Sequence, residues 1–110
     1  MKTAGRYFAT SLIFGLVLSA FGTSSAGAQE ASEIFRQSCI SCHTVGGGRL
    51  VGPDLKNVED RKEREWLVDF ILDPMGVLGS GDPYALQLQE ESGGAVMTAV
   101  PGMTRSQAEA

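Results

Sequence analysis

The sequence predicts an all-α domain of short helices joined by long connections. Three observations lead there. Residues 60–72 place apolar side chains at helical spacing, with Trp66 and Phe70, and Leu67 and Ile71, four apart. Two helix-start signals stand further on, Asp82-Pro83 and Thr104-Arg105-Ser106-Gln107. No stretch alternates apolar and polar residues as a half-buried strand does, and no internal repeat is present.

Size and charge narrow the classes. A chain of 110 residues holds one small domain. The formal charge of -4 has the wrong sign for neutralising phosphates, which excludes a basic nucleic-acid binder. The 43% hydrophobic share excludes a disordered chain, and two Cys are too few for a disulfide-stapled mini-protein.

The N-terminus reads as a secretory signal peptide spanning residues 1–28. Lys2 and Arg6 precede Tyr7 to Phe21, an uncharged and mostly apolar stretch of 15 residues. Ala26-Gly27-Ala28 then supplies an A-x-A cleavage site. The apolar stretch is short against the ~20 residues of a spanning helix. Cleavage after Ala28 would leave residues 29–110 as the domain, with no membrane span. Removing Lys2 and Arg6 takes the charge from -4 to -6. Export points to the periplasm, an oxidising compartment.

The elements follow in order. Gln29 to Ser38 is expected as a short helix with Ile34 and Phe35 as its apolar residues. Gly46-Gly47-Gly48 and Gly52-Pro53-Asp54-Leu55 mark turns. Asp60 to Leu72 is the amphipathic helix, with a charged lead-in from Glu59 to Glu65. Asp73-Pro74 ends it, because a residue before Pro avoids the helical region. Gly76 to Gly81 reads as a glycine-rich loop. A helix capped by Asp82 runs from Pro83 to about Ser92, with Leu86 on its buried face, until Gly93-Gly94 stops it. Ala95 to Met103 is irregular, and a last helix starts at the Thr104 capping box.

Cys39-Ile40-Ser41-Cys42-His43 carries the chemistry. Two thiols three residues apart on a helical turn can both add to the vinyl groups of one haem, and His43 then lies under the iron. Export agrees with this, and His43 is the single His of the chain. A plain disulfide is the alternative. A thioredoxin-type pair needs βαβ units, and a structural zinc needs four ligands.

With these pieces the chain resembles a bacterial class I cytochrome c over nearly all of Glu30 to Ala110. The matching features are Phe35 four residues before Cys39, the Cys39–His43 motif, Gly52-Pro53-Asp54-Leu55, the Trp66–Ile71 helix, and a Met loop before the last helix. The resemblance implies one haem c held covalently through Cys39 and Cys42, with His43 as proximal iron ligand. It implies a periplasmic one-electron carrier rather than an enzyme, working between redox partner proteins. It implies that the Pro53 carbonyl receives the ring N–H of His43. It offers Arg49 to a haem propionate, against a merely solvated Arg49. It offers the Trp66 indole N–H to a propionate too, against a place in the core. Leu55, Leu67, Phe70, Ile71 and Leu86 are expected as the apolar wall. In this family the first and last helices cross. The last helix is expected here to be incomplete, which lowers stability relative to a chain with the full helix.

Three methionines within residues 29–110 compete for the sixth iron position, where Met opposite His raises the potential. Met75 follows Asp73-Pro74, and Met103 directly precedes the Thr104 cap. Both are packing positions. Met97 lies in the irregular stretch, and Met97 to Thr104 fits the family's Met loop if Thr98 replaces the usual Pro. Met97 is the expected distal ligand and Met103 the alternative. The charge of -6 favours partners with a basic docking patch, and only Lys56 and Lys62 remain as lysines. Two other functions stay open. One is a haem subunit of a larger oxidoreductase. The other is a haem with an open sixth position for catalysis or gas binding.

Overall fold

The computed structural model describes residues 26–110. The signal-peptide expectation falls on residues 1–25, outside the described residues, and on Ala26–Ala28. Helix α1 spans Ala26–Ile34, so it starts earlier than expected. Its last turn widens into a π-helical turn, Phe35–Cys39, closed by Ile40 N–H donating to the Phe35 carbonyl at 3.0 Å. Cys42 and His43 then both donate to the Cys39 carbonyl, at 3.1 and 3.0 Å, so the haem motif stands on one helical turn.

Helix α2 spans Arg64–Leu72 and begins four residues later than the periodicity suggests. Asn57 sits in the left-handed region at φ 54° and feeds a 3₁₀ turn, Val58–Asp60, which uses up the charged lead-in. Glu63 is extended, and the helix starts after it. Along α2, Trp66 stacks on Phe70 with ring centroids 4.9 Å apart, the expected four-residue contact. Val68 is 2% exposed.

Helix α3 spans Pro74–Gly79, where a loop was expected. Asp73 explains the difference. Its extended backbone ends α2, while its carboxylate accepts from Gly76 N–H at 2.9 Å and caps the next helix, with Pro74 in the first turn. A Cβ at Gly76 would come within 2.7 Å of the Asp73 Cγ, so the glycine makes room for its own cap. Burial of Pro74 and partial burial of Val77 and Leu78 outweigh the helix penalty of the glycines, about 1 kcal/mol each.

Helix α4 spans Pro83–Glu91 and starts as expected, with the Asp82 carboxylate accepting from Ala85 N–H at 2.8 Å. It ends in a Schellman motif. Gly94 N–H donates to Gln89 and Gly93 N–H to Glu90, and both glycines have positive φ. Residues 95–103 are irregular. Helix α5 spans Arg105–Glu109 behind a complete Thr104–Gln107 capping box. It packs on both α2 and α1, and Gln107 donates to Glu30 at 2.9 Å. No strand occurs among the described residues.

Among the described residues few side chains are fully buried: Val68, Ala85 and Pro74. Apolar residues of α1, α2 and α4 surround a cavity of about 520 Å³. Val68, on α2, belongs to that wall and is itself fully buried, so Val68→Ala should destabilise the holoprotein by about 2 kcal/mol. Thermal unfolding followed by circular dichroism measures it, and an unchanged midpoint would refute that contribution.

Candidate functional site

The backbone around His43 is built by two strips of chain running side by side. Gly52 N–H donates to the Cys42 carbonyl at 2.9 Å, and Leu55 N–H to the Thr44 carbonyl at 2.8 Å. Between these contacts the Pro53 carbonyl lies 2.9 Å from His43 Nδ1. A carbonyl only accepts, so Nδ1 carries the proton and donates, and Nε2 keeps its lone pair for a metal. Nε2 has no hydrogen-bond partner among the described residues.

Gly52 is required by this ring. A Cβ there would run into His43 Cε1 and fall 2.8 Å from Nδ1. The sequence marked Gly52 only as a turn residue, whereas its place is a close approach of backbone to imidazole.

Asp54 ties the glycine loop onto the same scaffold. Its carboxylate accepts from Gly46, Gly48 and Lys56 N–H groups at 2.7, 2.7 and 2.8 Å. These backbone donors, Gly46 first, hold its carboxyl down to about 2 from 3.8.

Cys39, Cys42 and His43 all line the cavity. Cys39 and Cys42 form no disulfide with each other, and burial pushes the Cys39 thiol up. Met97 and Met103 line the cavity as well, while Met75 is 58% exposed and stands apart. Leu55, Leu67, Phe70 and Ile71 belong to the wall.

Leu86 does not belong to it. It is exposed, and Tyr84, Ala85 and Leu88 line the cavity instead. A helix starting at Pro83 puts Tyr84 and Leu88 on one face, and Leu86 two residues off points about 200° away. That spacing was available once Asp82 was taken as the cap. Leu78 also lines the cavity, and it was missed with the helix that carries it.

Two polar side chains find protein partners. Arg49 donates to the Glu91 carboxylate at 2.9 Å and the Ser92 hydroxyl at 3.2 Å, and does not line the cavity. Trp66 lines the cavity, but its indole N–H donates to the Asp82 carboxylate at 3.1 Å, with the Tyr84 ring edge-on at 5.3 Å. In this arrangement that N–H donates to the residue that caps α4.

The site thus offers two thiols, one imidazole with a free Nε2 and two thioethers around one apolar cavity. Its volume lies within the ~300–1,000 Å³ of small-molecule sites. The donor set and the apolar walls fit a covalently held haem.

The family model described as Cytochrome c matches residues 28–110. The chain belongs to the cytochrome c family. Among solved structures it is similar to a cytochrome c from Rhodothermus marinus, with 29% identity and a TM-score of 0.68 over 77% of this chain and 70% of that one. It is also similar to an engineered form of the Rhodothermus marinus protein. One such structure, bound to a carbene intermediate, has 28% identity and a TM-score of 0.63 over 94% and 80% of the two chains. Another has 27% identity and a TM-score of 0.65 over 94% and 81%. Comparison with the curated proteins gives no match. As a member of this family the chain has the all-α class I cytochrome c fold, binds covalent haem c, and serves haem-based electron transfer. Among the described residues no helix is long and apolar enough to cross a membrane.

Two outcomes test this geometry. Gly52→Ala should displace the imidazole and cost about 1–3 kcal/mol of stability. By NMR, the His43 Nδ1–H should lose its protection from exchange, and a retained, protected proton would contradict the packing. Asp54 has a depressed carboxyl, so its contribution is fully present above the ordinary value near 3.8 and is lost as pH falls towards 2. Between about pH 5 and pH 2 the melting temperature of the natural protein should fall more steeply than that of Asp54→Asn. Parallel curves would count against it.

Proposed function

We propose that the chain is a one-electron carrier outside the cytoplasmic membrane, exported by residues 1–28, in which His43 and Met97 would hold the haem iron. The observation that carries this reading is the His43 Nδ1–Pro53 hydrogen bond beside a cavity shared by Cys39, Cys42 and Met97. When bound, the haem would supply a one-electron couple, and a thioether ligand from Met97 would favour its reduced form.

The residues of the chain do the rest. Cys39 and Cys42 hold the group by thioether bonds. Pro53 fixes the tautomer and the plane of His43, so the imidazole does not rearrange when the charge changes. Leu55, Leu67, Phe70, Ile71 and Leu88 keep water out of the cavity. Met97 is favoured over Met103 because Met103 is bound into the turn before α5, where its N–H donates to Val100 at 3.1 Å and Thr104 caps the helix. Met103 packs there, as residues before a cap do. Partners are redox proteins, and a charge of -6 on residues 29–110 favours those with a basic docking patch.

An optical spectrum of the exported holoprotein tests the ligand pair. The natural protein should be low-spin with a Met–iron charge-transfer band. Met97→Ala should abolish that band, and Met103→Ala should keep it while lowering stability by about 2–3 kcal/mol. The reverse pattern would transfer the role to Met103. A high-spin natural protein would reject both and favour the open-site function.

A further inference from the structure

The loop after α4 is held at its ends and nowhere between. Within residues 93–103 every backbone hydrogen bond is local: Gly93 to Glu90, Gly94 to Gln89, Ala95 to Ser92 and Met103 to Val100. No side chain of the loop is hydrogen-bonded to another element among the described residues. Gly93, Gly94 and Gly102 adopt positive φ, which leaves the loop few side chains to pack near its two hinges. Even so, Met97, Val100 and Met103 line the haem cavity.

Both ends are clamped by an arginine reaching across the fold. At the first end Arg49, in the loop that follows His43, donates to Glu91 at 2.9 Å and Ser92 at 3.2 Å. At the second, Arg105 opens α5 and donates to Glu65 at 3.0 Å and Asp69 at 2.5 Å on α2. Glu109 adds a third carboxylate 3.6 Å from Arg105. The first clamp joins the His43 side of the cavity to the start of the Met loop. The second joins the end of the Met loop to the helix that forms the cavity wall.

We propose that Arg49 and Arg105 are positioning residues that hold the 93–103 loop closed over the cavity, and thereby set how readily Met97 leaves its ligand position. This rests on the reading of Met97 as distal ligand. Neither arginine touches the cavity through its own polar contacts; each acts through the loop end it fixes. The arginine side chains are 39% and 47% exposed, so each clamp is individually weak. The two ends share no partner, so their effects should multiply.

The test uses the full holoprotein with Arg49→Gln, Arg105→Gln, the double variant, and Arg36→Gln as control. Among the described residues Arg36 pairs with Glu33 alone, and Glu33 is on α1, far from the loop in sequence. Two readouts are taken: amide hydrogen exchange of residues 93–103, and the rate at which carbon monoxide binds the reduced protein, which requires Met97 to leave. Each single variant should speed both about 2–5-fold and the double variant about ten-fold. Arg36→Gln should change neither, and Arg49→Lys should restore part of the lost closure. High salt on the natural protein should mimic the double variant, because exposed pairs are screened; this covers a variant that fails to mature. A double variant and a salt series indistinguishable from the natural protein in both readouts would overturn the proposal. If the natural protein lacks the Met–iron band, the Met97 reading falls, and hydrogen exchange alone then decides whether the arginines close the loop.

Discussion

The structure turns on one hydrogen bond, from His43 Nδ1 to the Pro53 carbonyl at 2.9 Å. A metal ligand must present one nitrogen with a lone pair in a fixed direction, and an imidazole on a single turn of helix rotates freely unless its other nitrogen is held. Much of the chain from Thr44 to Lys56 serves that purpose. Gly52 clears the space for the ring, Pro53 presents the carbonyl, and Asp54 gathers three backbone N–H groups so that the glycine loop keeps its shape. Each of these hydrogen bonds has a backbone group as one partner, and none is an exposed ion pair.

The helices have the opposite character. Among the described residues, α2 to α5 are no longer than nine residues each, and isolated helices under ~12–15 residues are marginal in water. Caps at Asp73, Asp82 and Thr104 define where they start, but caps do not hold helices together. Apolar side chains of α1, α2 and α4 converge on the cavity, and Trp66 of α2 meets Tyr84 of α4 at its wall. A large, flat, covalently held group is therefore the natural centre of this core. That is how a small family member reaches stability with Val68, Ala85 and Pro74 alone fully buried among the described residues.

The two sides of the cavity are built by different physics. The His43 side is laced by backbone hydrogen bonds between neighbouring strips of chain. The Met97 side is an irregular loop whose polar tethers are exposed side chains at its ends. Exposed pairs are weak and salt-sensitive, whereas a backbone lattice opens only with the local fold.

Much of this was legible in the sequence, for a definable reason. Helix caps, the Schellman glycines after Glu91 and the C-x-x-C-H turn are local devices, and each depends on residues within five positions of one another. The sequence by itself therefore determined an all-helical chain, the thiol–imidazole motif, and the start of α4 and α5. Its failures were also local. Asp73 serves two helices at once, which hid α3 among glycines, and Asn57 in the left-handed region delayed α2 to Arg64. Only tertiary structure decided which groups meet across long separations. It gave the Trp66 N–H to Asp82, 16 residues away, and Arg49 to Glu91, 42 residues away, and it turned Leu86 outward in favour of Leu88. Such pairings follow from how the helices pack around a shared cavity, and no spacing rule along the chain encodes that packing.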